Sequence, residues 1–181
     1  DSRCTVCIQM ERVDHVDVVE IGSCRFIRLI DGMLERQIPD GKRFKFRITR
    51  FHSVRNALDR VPDGAVVAVH DGVRPLLSPE LVRDIFKEAE TRHAVIPVTP
   101  CVDTIKVLES KEGRLEAVPG AKADRSVLYG AQTPQVFHSE VLKMAYTQPY
   151  DTSFTDDASV VESAKENLSF MIGAIKCNKG S

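Results

Sequence analysis

The chain has no excess of charge of either sign: 25 Lys and Arg stand against 26 Asp and Glu. That balance excludes a global basic field for DNA or RNA, and no acidic tail argues for a chaperone-like role. Long apolar runs are missing too. The longest, Gly64–His70 and Ala94–Val98, fall far short of a membrane span. The first residues carry charge at Asp1, Arg3 and Glu11 without an apolar stretch between them, so no signal peptide is predicted and the expected location is the cytoplasm. The cysteines, Cys4, Cys7, Cys24, Cys101 and Cys177, are odd in number and scattered, which argues against a disulfide framework. Cys4 and Cys7 form a C-x-x-C pair, but the second pair that a structural zinc site needs is absent. The five histidines show no metal-site spacing, and there is no internal repeat, low-complexity tract or linker.

What remains is an ordinary globular composition, 43% apolar and 28% charged over 181 residues, enough for one domain with a sizeable core. The pattern changes near residue 48. Before it, periodicity is poor: Arg12–Glu20 alternates weakly, Cys24–Met33 shows no clean face, and only Lys42–Ile48 alternates as a half-exposed strand would. After it, Ser53–Val61 has helical apolar spacing. Ala65–Val69 and Ala94–Val98 are short β-branched runs between turn residues, the mark of buried strands. Ser78 is placed to cap a helix with Pro79 at its first position, running to about Arg92. Val102–Leu108 alternates, and with the turn Ser110–Gly113 and Arg114–Val118 it predicts a hairpin or projecting arm. A strand at Val127–Tyr129, a helix at His138–Ala145, a helix capped by Thr155 with Asp156 and Asp157 complementing its dipole, and a strand at Leu168–Ile175 complete the reading. Strands alternating with helices predict an α/β, Rossmann-like, mostly parallel sheet flanked by helices, with a β-arm at about 102–128.

Ligands of open α/β sheets bind beyond the carboxyl ends of the strands. The run Ala65–Val69 delivers His70-Asp-Gly-Val-Arg-Pro75 to that edge. There Asp71 is suited to a divalent cation or a ribose hydroxyl and Arg74 to a phosphate. The alternative is an ordinary turn in which Asp71 and Arg74 pair with each other. Asp103-Thr-Ile-Lys106 opens the arm and is either a ligand-binding tetrad or a solvated strand face. Arg125 and Gln132-Thr-Pro-Gln135 sit around a proline that fixes a loop. Thr155-Asp-Asp-Ala-Ser159 is fully explained as a helix start. The basic stretch holding Lys42, Arg43, Lys45, Arg47, Arg50 and Arg55 is read as a solvated face or a phosphate-handling surface rather than a nucleic-acid patch.

Taken in order, Arg50-Phe-His-Ser-Val-Arg-Asn-Ala-Leu58, Val69-His-Asp-Gly-Val-Arg-Pro75, Asp103-Thr-Ile-Lys106, Arg125 with Thr133-Pro-Gln-Val-Phe137, and Thr155-Asp-Asp-Ala-Ser-Val-Val-Glu162 resemble the 2-C-methyl-D-erythritol 4-phosphate cytidylyltransferase family. Each segment alone is weak, but their shared order, over residues 48–163, is specific. The resemblance implies transfer of CMP from CTP to the methylerythritol phosphate, with Mg²⁺ as cofactor and a homodimer of interlocked arms. It places Ser53 and Asp71 on CTP, Asp71 on the metal, Arg74 in the same pocket, and Thr104 and Arg125 on the second substrate. Arg125 would reach the neighbouring subunit's site, and a C-terminal lysine, Lys179 or Lys176, would help to place substrate.

Both ends depart from the family. Residues 1–47 hold only the separated Gly22, Gly32 and Gly41 and no Gly-rich phosphate loop with its Pro-Lys-Gln, where backbone N–H groups and cations should meet the triphosphate. The expected division is therefore an atypical segment 1–47 and a cytidylyltransferase-like domain 48–181. A truncated or frameshifted gene would produce such a matching middle. The alternatives are a ribitol-5-phosphate cytidylyltransferase, which shares several motifs, and a non-catalytic dimerisation or binding remnant of the fold.

Overall fold

The computed structural model describes residues 49–71 and 77–173 with side chains, and the backbone of strands β1 (Thr5–Glu11), β2 (Asp17–Ile21), β3 (Cys24–Ile30), β4 (Leu34–Gln37) and β5 (Arg43–Phe46). The elements that follow are α1 (Arg50–Leu58), β6 (Val66–Asp71), α2 (Pro79–Glu88), β7 (Ala94–Pro100), β8 (Leu108–Lys111), β9 (Arg114–Ala117), β10 (Tyr129–Ala131), β11 (Gln135–His138), α3 (Ser139–Ala145), α4 (Asp157–Ser163) and β12 (Ser169–Ile172). One 8-stranded sheet runs β10-β7-β11-β6-β1-β3-β2, with β12 on β7. Strand β1 is parallel to both β3 and β6, and β12 is parallel to β7. Among the described strands of this sheet, β2, β10 and β11 run against their neighbours. The expected α/β, mostly parallel architecture is the one observed. Among the described residues no helix is long and apolar enough to cross a membrane.

The buried strands show why the sheet needs helices on both faces. Along β6, Val67 and Val69 join Phe51, Val54, Leu58, Phe137, Leu142 and Val161 on one side. The alternate residues Val66 and Ala68 join Ile85, Ala89, Val95 and Val136 on the other. Successive side chains of a strand point to opposite faces, so a strand apolar throughout must be covered twice. Helices α1, α3 and α4 supply one cover and α2 the other. Fully burying each such valine, leucine or phenylalanine contributes about 1.5–3 kcal/mol relative to exposure.

Helix α2 starts as its sequence predicts: Ser78 Oγ accepts from Leu81 N at 3.1 Å, and Pro79 follows it. Helix α4 corrects the expectation that Thr155 is its cap. Asp156 is the cap, with Oδ1 accepting from Ser159 N at 2.8 Å. The Ser159 hydroxyl in turn receives Thr155 N and Asp156 N, at 3.0 and 3.1 Å, so Thr155 stands just outside the helix. The arm is also shorter in strand than its alternation suggested. Residues 102–107 belong to no strand; the hairpin ladder begins at Leu108, paired with Ala117, just after Val118 N donates to the Val107 carbonyl at 3.1 Å. Val127 closes a short 3-10 turn, Arg125–Val127, and the strand beyond it is β10. At the other end of the chain, β1 and β3 form where the sequence showed no clear period.

Candidate functional site

The carboxyl end of β6 carries the site. Asp71 is the last residue of that strand, its backbone N–H donating to Thr133 Oγ1 at 3.1 Å. The same hydroxyl lies 3.0 Å from His70 Nδ1, so the loop before β11 grips the end of β6 from one side. From the other side comes Arg50, the first residue of α1. Its guanidinium stands 3.6 Å from Asp71 Oδ1 and 2.5 Å from Asp157 Oδ2. Arg50 and Asp71 are each 27% exposed at the side chain, whereas Asp157 is fully buried. Burial opposes the charge on Arg50, but the carboxylates of Asp157 and then Asp71 outweigh it and hold the guanidinium above its ordinary pKa.

Asp157 has a partner on its other oxygen. The Tyr146 hydroxyl donates to Oδ1 at 2.5 Å, and burial, followed by that negative charge, pushes its pKa well above the usual tyrosine range. Tyr146 is itself stacked on Phe51, with ring centroids 4.8 Å apart, and Phe154 stacks on Phe51 at 5.6 Å. The start of α4 is tied to β11 by Gln135, whose amide donates to Asp156 Oδ2 at 2.7 Å and accepts Ala158 N at 2.9 Å. Three elements far apart in the chain therefore meet at one edge. Arg50 thus stands between two carboxylates, those of Asp157 and Asp71.

Among the described residues no group of three or more His, Cys, Asp and Glu stands together as a metal cluster. Mg²⁺ does not demand one, because it commonly binds through one or two carboxylates plus substrate phosphates. Asp71, partly exposed at the sheet edge, fits that requirement.

Of the residues expected to act, Asp71 lies at the predicted edge. Ser53 is buried on α1, one turn after Arg50, and its hydroxyl donates to the Thr49 carbonyl at 3.3 Å. Thr104 is exposed at the root of the arm, where Arg125 donates to the carbonyl of Val102 at 2.9 Å. Arg74, Lys176 and Lys179 lie outside the described residues, as do the side chains of the C-x-x-C pair. Of the two readings of the basic stretch, a solvated face or a phosphate-handling surface, the first does not hold for Arg50, which two acids hold at the site. Asp157 is likewise more than a helix-dipole complement on the surface. Both stand in the segments that carry the family resemblance, but no local pattern announces that they touch.

The sequence profile described as 2-C-methyl-D-erythritol 4-phosphate cytidylyltransferase matches residues 47–176. The protein of that name from Porphyromonas gingivalis is 50% identical over 115 residues, covering 63% of this chain and 48% of the relative. Its counterpart from Phocaeicola vulgatus is 44% identical over 140 residues, 77% of this chain and 58% of the relative. The chain thus spans about half the length of the curated relatives it matches. A crystal structure of 4-diphosphocytidyl-2C-methyl-D-erythritol synthase is similar in fold over 99% of this chain and 93% of that one, with TM-score 0.70 and 20% identity.

Proposed function

The chain belongs to the 2-C-methyl-D-erythritol 4-phosphate cytidylyltransferase family, and from that membership we propose that its sheet-edge site transfers CMP from CTP to 2-C-methyl-D-erythritol 4-phosphate, releasing pyrophosphate. The observation that carries the reading is Asp71, a partly exposed carboxylate at the end of a parallel strand, fixed through its backbone by Thr133 and faced by Arg50. A phosphate oxygen of the acceptor forms a bond to the α-phosphorus of CTP while the bond from that phosphorus to the bridging oxygen breaks, and the electron pair leaves with pyrophosphate. Because the acceptor phosphate is already an anionic nucleophile, the protein's part is positioning and charge neutralisation rather than covalent catalysis.

In this reading Asp71 would hold Mg²⁺ and the ribose, which a 27% exposed carboxylate is able to do. When bound, Mg²⁺ supplies neutralisation of charge on the phosphates. Ser53, whose hydroxyl hydrogen is engaged by Thr49, keeps lone pairs with which to accept from the nucleotide. Arg74 would meet phosphate, Thr104 and Arg125 the methylerythritol phosphate, and Lys179 or Lys176 the reacting groups. The reaction would run in the cytoplasm, and the working unit would be residues 48–181, with strands of the first segment completing its sheet.

A homodimer through the arm belongs to the same proposal. Val102 is 77% exposed, Leu115 73%, Val127 69% and Ile172 67%, and a groove of about 570 Å³ runs between Leu128, Tyr129 and Phe170. Such apolar exposure on the arm and along the groove beside it favours a partner surface. Light scattering should give a dimer, and Leu115→Glu with Val127→Glu should give a monomer; a compact monomer of the unsubstituted chain would contradict the dimer. For the site, the test is CTP consumption dependent on 2-C-methyl-D-erythritol 4-phosphate. It should fall at least about 10²-fold in Asp71→Asn, and an unchanged rate in that variant would remove Asp71 from the reaction.

A further inference from the structure

We propose that Arg50 is a positioning residue: anchored on buried Asp157, it fixes the Asp71 carboxylate in the orientation that meets a metal-bound nucleotide. The inference rests on the function proposed above and adds a part to it. The two ion pairs of Arg50 are unequal. The 2.5 Å contact reaches a carboxylate with no solvent exposure, and the 3.6 Å contact reaches one that is 27% exposed. The first is an anchor and the second is what the anchor steadies.

The anchor is itself immobilised. Tyr146, 3% exposed, occupies the other Asp157 oxygen at 2.5 Å and is stacked on Phe51. Asp157 is the first residue of α4, behind the Asp156–Ser159 capping box. On the Asp71 side, the main chain is pinned by Thr133 Oγ1, and the Arg50 guanidinium stands 3.6 Å from the carboxylate. The energetics point the same way. A buried ion pair gains little over a well-packed apolar pair of similar volume, so folding alone gives weak reason to keep Arg50 and Asp157.

The test is a double-mutant cycle on the full chain with two readouts, affinity for Mn²⁺–CTP by proton relaxation enhancement and turnover of CTP with 2-C-methyl-D-erythritol 4-phosphate. Arg50→Lys keeps the charge but replaces the planar, longer guanidinium, whose Nη2 meets both acids, with a compact ammonium. It should weaken Mn²⁺–CTP binding about tenfold and lower kcat about 10- to 100-fold, with KM for the methylerythritol phosphate changed less than about twofold. In an Asp71→Asn background the same substitution should add less than about twofold, because the group it acts through is gone. Arg50→Gln with Asp157→Asn removes both charges at nearly constant volume and should reproduce the result if Arg50→Lys is poorly folded. Losses that multiply in the Asp71→Asn background, or unchanged affinity and kcat in both Arg50 variants, would overturn the positioning role while leaving the proposed function standing. An unsubstituted chain that does not bind Mn²⁺–CTP overturns both.

Discussion

Replacing Asp157 by alanine probes the joint on which the site is built. The carboxylate is fully buried, its Oδ2 lies 2.5 Å from Arg50 and its Oδ1 accepts the Tyr146 hydroxyl at 2.5 Å. Removal strands the Tyr146 O–H, 3% exposed, at a cost of about 1–3 kcal/mol for an unsatisfied buried donor. Breaking a buried ion pair costs about 3–5 kcal/mol when the surviving charge is sealed from water. Arg50 is not sealed: 27% of its side chain is exposed and Asp71 stays within reach, so that contribution falls to about 1–2 kcal/mol. The expected loss is about 3 kcal/mol, roughly 2–5. With a urea slope of about 2 kcal/mol/M, the midpoint should fall by about 1.5 M, with the slope unchanged. Tyr146→Phe should cost about 1.5–3 kcal/mol, because it takes the donor from a buried carboxylate oxygen while the stack on Phe51 and the ion pair to Arg50 survive. A loss below about 1 kcal/mol for Asp157→Ala, or a larger loss for Tyr146→Phe than for Asp157→Ala, would refute the reading that Asp157 holds both partners.

Two further outcomes follow from single residues. The folded state holds the Tyr146 proton more tightly than the unfolded chain, whose tyrosine ionises near its ordinary value of 10.0. Stability should therefore fall as pH rises above about 10, by about 1.4 kcal/mol per pH unit. The advantage of the unsubstituted chain over Tyr146→Phe should shrink by about 1 kcal/mol between about pH 10 and 11, approaching the full slope only above that, and a constant difference would contradict it. Gly173 donates to the Val98 carbonyl at 2.8 Å, and a Cβ there would overlap Gln132 Oε1 and lie 3.2 Å from Pro97 Cβ. Because Gln132 is 2% exposed and has little room to yield, Gly173→Ala should destabilise by about 1–3 kcal/mol; a neutral thermal melt would show that Gln132 simply turns aside.

What could be read from the sequence is what local chemistry decides. Strands β6 and β7 are β-branched runs between turn residues, and Ser78-Pro79 starts α2 by hydrogen-bonding its own first turn. Where partners are distant, the pattern fails. Strands β1 and β3 mix charged and apolar residues and gain their place by pairing with β6 and with each other. Alternation over Val102–Leu108 suggested a strand that starts only at Leu108, because alternation without a partner strand forms no ladder. The site divides in the same way. Asp71 was visible because a strand end is a binding edge. Arg50 hid within a basic stretch and Asp157 behind a helix cap, since each takes its meaning from the other across the fold. The roles given to the arm residues Thr104 and Arg125 came from the family resemblance; both are exposed, and Arg125 donates to the Val102 carbonyl.

The most direct test of the central claim is a phosphorus NMR spectrum of the chain incubated with CTP, Mg²⁺ and 2-C-methyl-D-erythritol 4-phosphate, with ribitol 5-phosphate in a parallel tube. The account predicts pyrophosphate and a new pair of coupled diphosphate signals in the first tube, and neither in the second. Unchanged CTP in the first tube, from protein shown to be folded, would contradict the proposed activity and leave the fold as a scaffold without it.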